Sequence, residues 1–233
     1  MGLYNEMGEL LESQSDALRS SGVTISDDIT IASPIFLNKI TWIQPGNKRG
    51  QIDSDGYCFS VACKNMSHGS RGIVVKQYVN SCDGEYCEVS FESLQPLKWK
   101  TLTKLGKFES GFLLDASSSR EYFATQSSRS GAVDLFRKAV FGTSSTHDST
   151  YTPGKDMTPS DACFCLIDGR EMLVVAVEKD NKVHVVDHTD GCLFVRYLNT
   201  EPFTLDRPRC LATDYNHRLW IGCHGGKVIL VYL

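Results

Sequence analysis

The sequence lacks long apolar runs: none approaches the ~20 residues that a membrane-spanning helix needs, so no membrane partner is expected. It lacks the signature of a secretory signal, because its opening stretch "MGLYNEMGELLESQSD" is acidic and helical in spacing. It lacks an even cysteine count; nine cysteines in an unsecreted chain read as reduced thiols and place the protein in the cytoplasm. No nucleophile elbow, phosphate loop or metalloprotease motif occurs, which leaves no ready-made catalytic apparatus. An excess of either charge is missing too: 24 Lys and Arg face 28 Asp and Glu, for a net charge of −4. A broad basic footprint for nucleic-acid phosphates is thereby excluded. The one basic stretch, residues 98–138, carries Lys98, Lys100, Lys104, Lys107, Arg120, Arg129, Arg137 and Lys138.

What is present is β-pattern. Residues 3–21 place Leu3, Met7, Leu10 and Ala17 at helical spacing, and the glycine of "SSG" stops the run, so residues 1–22 are expected to form a short N-terminal helix. That helix either docks on the domain or ends a longer coiled coil. From Val23 onward, short β-branched and aromatic runs such as "RGIVVKQYV", "GFLLDA", "EMLVVAVE" and "KVHVVDH" alternate with Gly, Ser, Asn and Asp, and no long helix is visible.

The runs recur. Leu173–Ala176 falls on Leu219–Gly222, 46 residues on, and Val183–Val186 falls on Val228–Val231, 45 residues on. Upstream, Pro159 and Cys163 precede the first copy as Pro208 and Cys210 precede the second. "REYFATQSSRSGAVDLFRK" is a weaker earlier copy. A four-stranded unit repeating every 40–50 residues describes a propeller blade. The expected architecture is all-β: a β-propeller over residues 30–233 with about four to six blades, incomplete or divergent. The runs "MLVVAV" and "LWIGC" are apolar at nearly every position, as strands covered on both faces should be. Gly225-Gly226 suits a turn with positive φ between two strands.

The run from Asp180 to the last residue resembles the NHL repeat, on Asn181, Val183, Val185, Asp187, Gly191, Leu205, Pro208, Leu211, Ala212, Asp214, Arg218, Leu219 and Trp220. The match is specific over 170–233, faint over 110–140 and architectural before that. WD-repeat propellers share the rhythm, but their terminal Trp-Asp dipeptide and Gly-His signature are missing. The resemblance implies a binding platform of the kind found at the C-terminus of tripartite-motif proteins, for a protein partner or, alternatively, RNA. It implies no ligase chemistry in this chain, since no RING or B-box is recognisable.

Candidate functional residues follow from this layout. The turns "QSSRSG", "EKDNK" and "CHGG" and the linker "LDRPR" should project at one end of the blades, offering Arg129, Lys179, Asn181, Arg207, Arg209 and His224 to a partner. Cys58, Cys63, His68, Cys82 and Cys87 are of zinc-ligating type, but their spacing is wider than structural zinc pairs use, and Cys58 and Cys63 lie in an apolar run where reduced cysteine packs as a small hydrophobe, so no metal is expected. Cys223 and His224 are adjacent in a strand and point to opposite faces, which argues against a nucleophile pair. Asp134, His184 and Asp187 form no blade-by-blade ladder for a channel metal, as a propeller hydrolase or lyase would need. No cofactor is expected.

Overall fold

In a computed structural model, the described residues are 2–4, 10–13, 20–26, 29–34, 39–44, 48–53, 57–63, 71–77, 84–94, 97–108, 111–119, 121–127, 131–138, 144–214 and 217–233. Twenty-one strands run through them. Strands β1 (Gly2–Tyr4) and β2 (Leu10–Ser13) pair only with each other among the described residues. Four sheets of four strands follow. They comprise β3 (Ser20–Ser26), β4 (Ile29–Pro34), β5 (Lys39–Gln44) and β6 (Lys48–Asp53); then β7 (Tyr57–Cys63), β8 (Arg71–Gln77), β9 (Gly84–Leu94) and β10 (Leu97–Phe108). The third holds β11 (Gly111–Ala116), β12 (Tyr122–Ser127), β13 (Val133–Lys138) and β14 (Ser145–Tyr151); the fourth holds β15 (Pro159–Ile167), β16 (Arg170–Val177), β17 (Lys182–Asp187) and β18 (Leu193–Tyr197). The fifth sheet has three strands, β19 (Pro208–Thr213), β20 (Arg218–Cys223) and β21 (Val228–Tyr232).

Every sheet is an antiparallel meander in sequence order, and the first strands of successive sheets lie against one another, β3 on β7, β7 on β11, β11 on β15 and β15 on β19. In each sheet the pairing of first and second strands contains a register shift, a bulge that sharpens the local twist. The 46- and 45-residue offsets read from the sequence superpose β16 on β20 and β17 on β21, second strand on second and third on third. Pro159 and Pro208 each open a first strand, where a missing N–H costs the ladder nothing. Gly225 and Gly226 turn β20 into β21 with φ of 79° and 84°.

The N-terminal expectation differs from the structure. Strands stand at Gly2–Tyr4 and Leu10–Ser13, and β3 opens at Ser20, so the first sheet begins inside the stretch whose spacing suggests a helix. A helix of two heptads is marginal without a partner face, and the serines and glycines around Leu10–Ser13 are weak helix formers.

The core lies between sheets. Tyr86 and Leu105 of the second sheet meet Leu113, Ala116 and Phe123 of the third. Leu135, Val133 and Tyr151 of the third meet Phe164, Leu173, Val175 and Val177 of the fourth. Val174, Ala176, Val183 and Val185 of the fourth meet Leu211, Leu219, Ile221 and Ile229 of the fifth. Strand β16 is therefore buried on both faces, which is why it reads as an unbroken apolar run. Strand β20 is not: Leu219, Ile221 and Cys223 are buried while Arg218, Trp220 and Gly222 are half-buried. The sequence expectation of two covered faces holds for "MLVVAV" and fails for "LWIGC".

Carboxylates on the first strands tie neighbouring sheets together. Asp115 Oδ2 accepts the backbone N–H of Phe164 at 2.8 Å, and Asp161 Oδ2 accepts that of Leu211 at 2.8 Å. Asp161 Oδ1 also accepts the N–H of Ala162 at 2.8 Å. Burial pushes the Asp161 carboxyl up to about 7, against the pull of its two backbone donors and with the help of nearby Asp115. The native state thus holds a proton that the unfolded chain releases near 3.8, so this contribution to stability is complete below 3.8 and is lost as pH rises through about 7. Urea unfolding at a series of pH values is expected to show that Asp161→Asn, which cannot ionise, removes this component of the wild-type slope. Leu173→Ala, which empties a fully buried position, is expected to cost about 3 kcal/mol at any of those pH values.

Candidate functional site

The sequence-predicted partner residues fall on the ends of the fourth and fifth sheets. Between β16 and β17, Glu178–Asp180 form one 3-10 turn that Asn181 closes with φ 54°, a left-handed conformation that asparagine tolerates better than most residues. Asn181 Oδ1 accepts the N–H of Arg207 at 2.8 Å, tying this turn to the linker that enters β19. Arg209 occupies the bulge position of β19, and its guanidinium donates twice to Glu178 Oε1, at 2.8 and 3.2 Å. That hydrogen bond holds the Glu178 carboxyl below its usual range. His224 opens the turn between β20 and β21, and its N–H donates to the carbonyls of Asp206 and Arg207 at 3.1 and 3.0 Å. Lys179 reaches sideways to the carbonyl of Asp156, in the linker between β14 and β15, at 3.0 Å.

Lys179, Asn181, Arg207, Arg209 and His224 are thus brought together from three chain segments that bond to one another through backbone and side chain. Lys179, Asn181, Arg207 and Arg209 are exposed and His224 is half-buried. Arg129 lies outside the described residues. Carboxylates are interspersed among the cations, with Arg207 Nε 3.5 Å from Asp206 Oδ1 in addition to the Arg209–Glu178 pair. The surface is mixed in sign, which suits polar contacts to a protein and not a continuous phosphate track.

Among the described residues, the other candidate side chains hold separate positions. His184 sits buried on β17, the third strand of the fourth sheet, and not on a first strand. Its Nδ1 accepts from the hydroxyl of Tyr151 at 2.6 Å, and its Nε2 donates to Asp180 Oδ2 at 3.0 Å. The Tyr151 phenol, pushed up to about 12 mainly by burial, stays protonated and donates. This network satisfies buried polar atoms across two sheets, and it also ties the 3-10 turn to the core. Asp134 accepts from Thr150 and Asp187 from Thr189, each within its own sheet. Among the described residues, no three His, Cys, Asp or Glu side chains converge as metal ligands. Of the cysteine set, Cys58 and Cys63 lie on β7, Cys87 is buried on β9, and His68 and Cys82 lie outside the described residues. Cys223 is a buried free thiol at the end of β20.

The basic stretch is partly neutralised. Lys104 pairs with Glu85 at 2.9 Å, and Lys138 pairs with the buried Glu88 at 2.5 Å. Arg120 lies outside the described residues.

Sequence reasoning missed the inter-sheet carboxylates and the histidine network. A legible signal existed for the first, since Asp115 and Asp161 are lone acids inside otherwise apolar or small-residue strands, "GFLLDA" and "PSDACFCLI". It did, however, single out the positions whose physical roles the structure reveals in the last repeat. Asp214 accepts from Arg218 N at 3.0 Å, from Arg218 Nε at 2.7 Å and from Trp220 Nε1 at 3.0 Å, closing the turn between β19 and β20.

No family model and no curated protein matches the chain. Solved structures do. A protein of unknown function from Bacteroides caccae aligns with a TM-score of 0.62 at 11% identity over 94% of this chain and 77% of that one. The β-propeller domain of Myceliophteria thermophila Cps50 (Swd1) aligns at 0.58 and 8% identity over 98% and 88%. A chain of a nidogen/laminin complex aligns at 0.57 and 12% identity over 91% and 75%. The chain folds as a β-propeller. Its sheets are blades, with the first strand of each innermost, and the loop cluster described above lies at one end of blades four and five. Among the described residues, no helix is long and apolar enough to cross a membrane.

Asn181 is the keystone of the cluster's backbone. Asn181→Ala keeps the left-handed φ without asparagine's tolerance of it and removes the bond to Arg207 N, so it is expected to destabilise the protein by about 2 kcal/mol. Asn181→Gly, which relieves the backbone, is expected to cost about half as much, both measured by urea unfolding.

Proposed function

We propose that this propeller is a non-catalytic interaction module that binds a protein partner through the loop ends of blades four and five. The observation that carries the reading is the convergence of Lys179, Asn181, Arg207, Arg209 and His224, from two turns and a linker, on one hydrogen-bonded surface of mixed charge. Long polar side chains standing on rigid strand ends present a surface whose geometry is set before a partner arrives. Propeller relatives at 8–12% identity include a chain solved in a nidogen/laminin complex, consistent with a scaffold role for this fold. The NHL-like positions from Asn181 to Trp220 extend the reading: the module would serve as the substrate-recognition part of a tripartite-motif ubiquitin ligase, acting in the cytoplasm.

A photo-crosslinking amino acid at position 207 or 224 tests this in cells. Protein adducts are expected at several times the yield obtained from position 170, which is exposed at the opposite ends of the strands. Equal yields from 170 would remove the loop surface from consideration. Adducts that nuclease digestion abolishes, together with binding that falls steeply with added salt, would replace the protein partner by RNA.

A further inference from the structure

Among the described residues, His188 Nδ1 is the one buried side-chain nitrogen or oxygen atom without a hydrogen-bond partner. His188 follows directly on β17 and is only 3% exposed. Its ring lies where blades three and four meet. The Tyr122 ring of β12 and the Phe164 ring of β15 stand nearly perpendicular to it, each at 5.1 Å between centroids. It thereby plugs one end of the core that these two blades share, at the opposite end of β17 from the loop cluster. A buried polar atom left unpaired is costly and rare, so this one calls for a reason.

Charged groups surround the ring on several strands. Glu171 of β16 accepts the N–H of Ser118 through Oε1 at 2.6 Å. Asp187, at the end of β17, accepts the N–H and hydroxyl of Thr189 through Oδ1 at 2.9 and 2.7 Å, and the N–H of Asp190 as well. Asp148 of β14 accepts the Ser149 hydroxyl at 3.2 Å, and the Arg137 guanidinium of β13 lies 5.5 Å from the Tyr122 ring centre. Burial holds the His188 imidazole below its ordinary value, although Glu171, Asp187 and Asp148 pull the other way. The neutral ring suits the space between Tyr122 and Phe164. A charged ring held there would carry a buried N–H with no acceptor. Glu171 Oε2 has no partner among the described residues and offers one outside that space.

We propose that His188 is an acid-operated latch between blades three and four. Neutral, its ring fills the gap between Tyr122 and Phe164; protonated, it swings out to the Glu171 carboxylate and loosens the interface it had closed. The device has two positions because apolar packing favours the neutral ring and a carboxylate favours the charged one. The folded chain binds this proton less readily than the unfolded chain, which takes it up near 6.5. The stability that His188 contributes is therefore complete above about 6.5 and declines as pH falls from there to the depressed folded value. Asp161 acts in the opposite sense, losing its contribution as pH rises, so substitution separates the two. The latch lies outside the loop cluster and does not depend on the function proposed for it.

The test follows the six histidine ring signals of the whole chain by NMR across the acid range, with that of His188 assigned as the one missing from His188→Phe. Its midpoint is expected below that of the urea-unfolded chain. It is expected lower still in Glu171→Gln, where the ionised acceptor is gone while an amide oxygen remains for Ser118. Hydrogen-exchange protection at the amides of 122–125 and 162–166 is expected to fall about tenfold or more between about pH 7.5 and about pH 5. In His188→Phe, which fills the gap with a ring that cannot ionise, the fall is expected to be under about threefold. The proposal fails if His188 titrates at or above the unfolded value, or if Glu171→Gln leaves the midpoint unchanged. It also fails if His188→Phe loses protection with acid as the wild type does. Where the phenylalanine variant does not fold, His188→Gln takes its place in the assignment, and the wild-type and Glu171→Gln titrations decide.

Discussion

Burial of apolar side chains between facing sheets is the constraint on which everything else here rests. A four-stranded sheet with two apolar faces cannot satisfy both alone, and stacking it between two similar sheets removes both from water. Strand β16 shows the full solution, with Leu173, Val175 and Val177 turned to blade three and Val174 and Ala176 turned to blade five. Because only neighbours touch, each interface is a local problem solved with local residues, and the loop ends inherit their positions from whichever two blades flank them.

Apolar contact alone would let one sheet slide on the next. Polar links crossing the interfaces fix the offset: Asp115 to the N–H of Phe164, Asp161 to that of Leu211, Glu171 to that of Ser118, and Ser160 Oγ to the carbonyl of Pro208. Each is a directional bond of side chain to backbone, satisfied only at one relative height of the two blades. The same logic continues to the surface, where Asn181 and Arg209 bond blade four to blade five within the loop cluster. Surface and core are therefore held in one register.

How far the sequence reveals this depends on the length scale of the signal. The blade period was legible from Leu173 and Leu219 because repeated burial imposes repeated apolar residues, and Gly225-Gly226 announced its turn because only glycine enters those φ values freely. The convergence of Lys179, Asn181, Arg207, Arg209 and His224 was legible once the period was known, since equivalent turns share an end. The N-terminal stretch has helical spacing yet carries strands, because a 3-4 spacing over two heptads does not by itself outweigh serine and glycine. Bulges escaped notice because they are a property of pairing, and Arg209 points at Glu178 from such a position. The Tyr151–His184–Asp180 network spans 33 residues and two sheets, and no local pattern encodes it.

Among the described residues, Leu219, Ile221 and Ile229 of blade five are buried against Val174, Ala176 and Val185 of blade four, while Trp220 and Leu230 on the other face of blade five are half-buried. His224 follows directly on β20, and its N–H is bonded to the linker that enters β19. The loop cluster is therefore anchored through the core that these two blades share, and any local opening of that core carries the cluster with it.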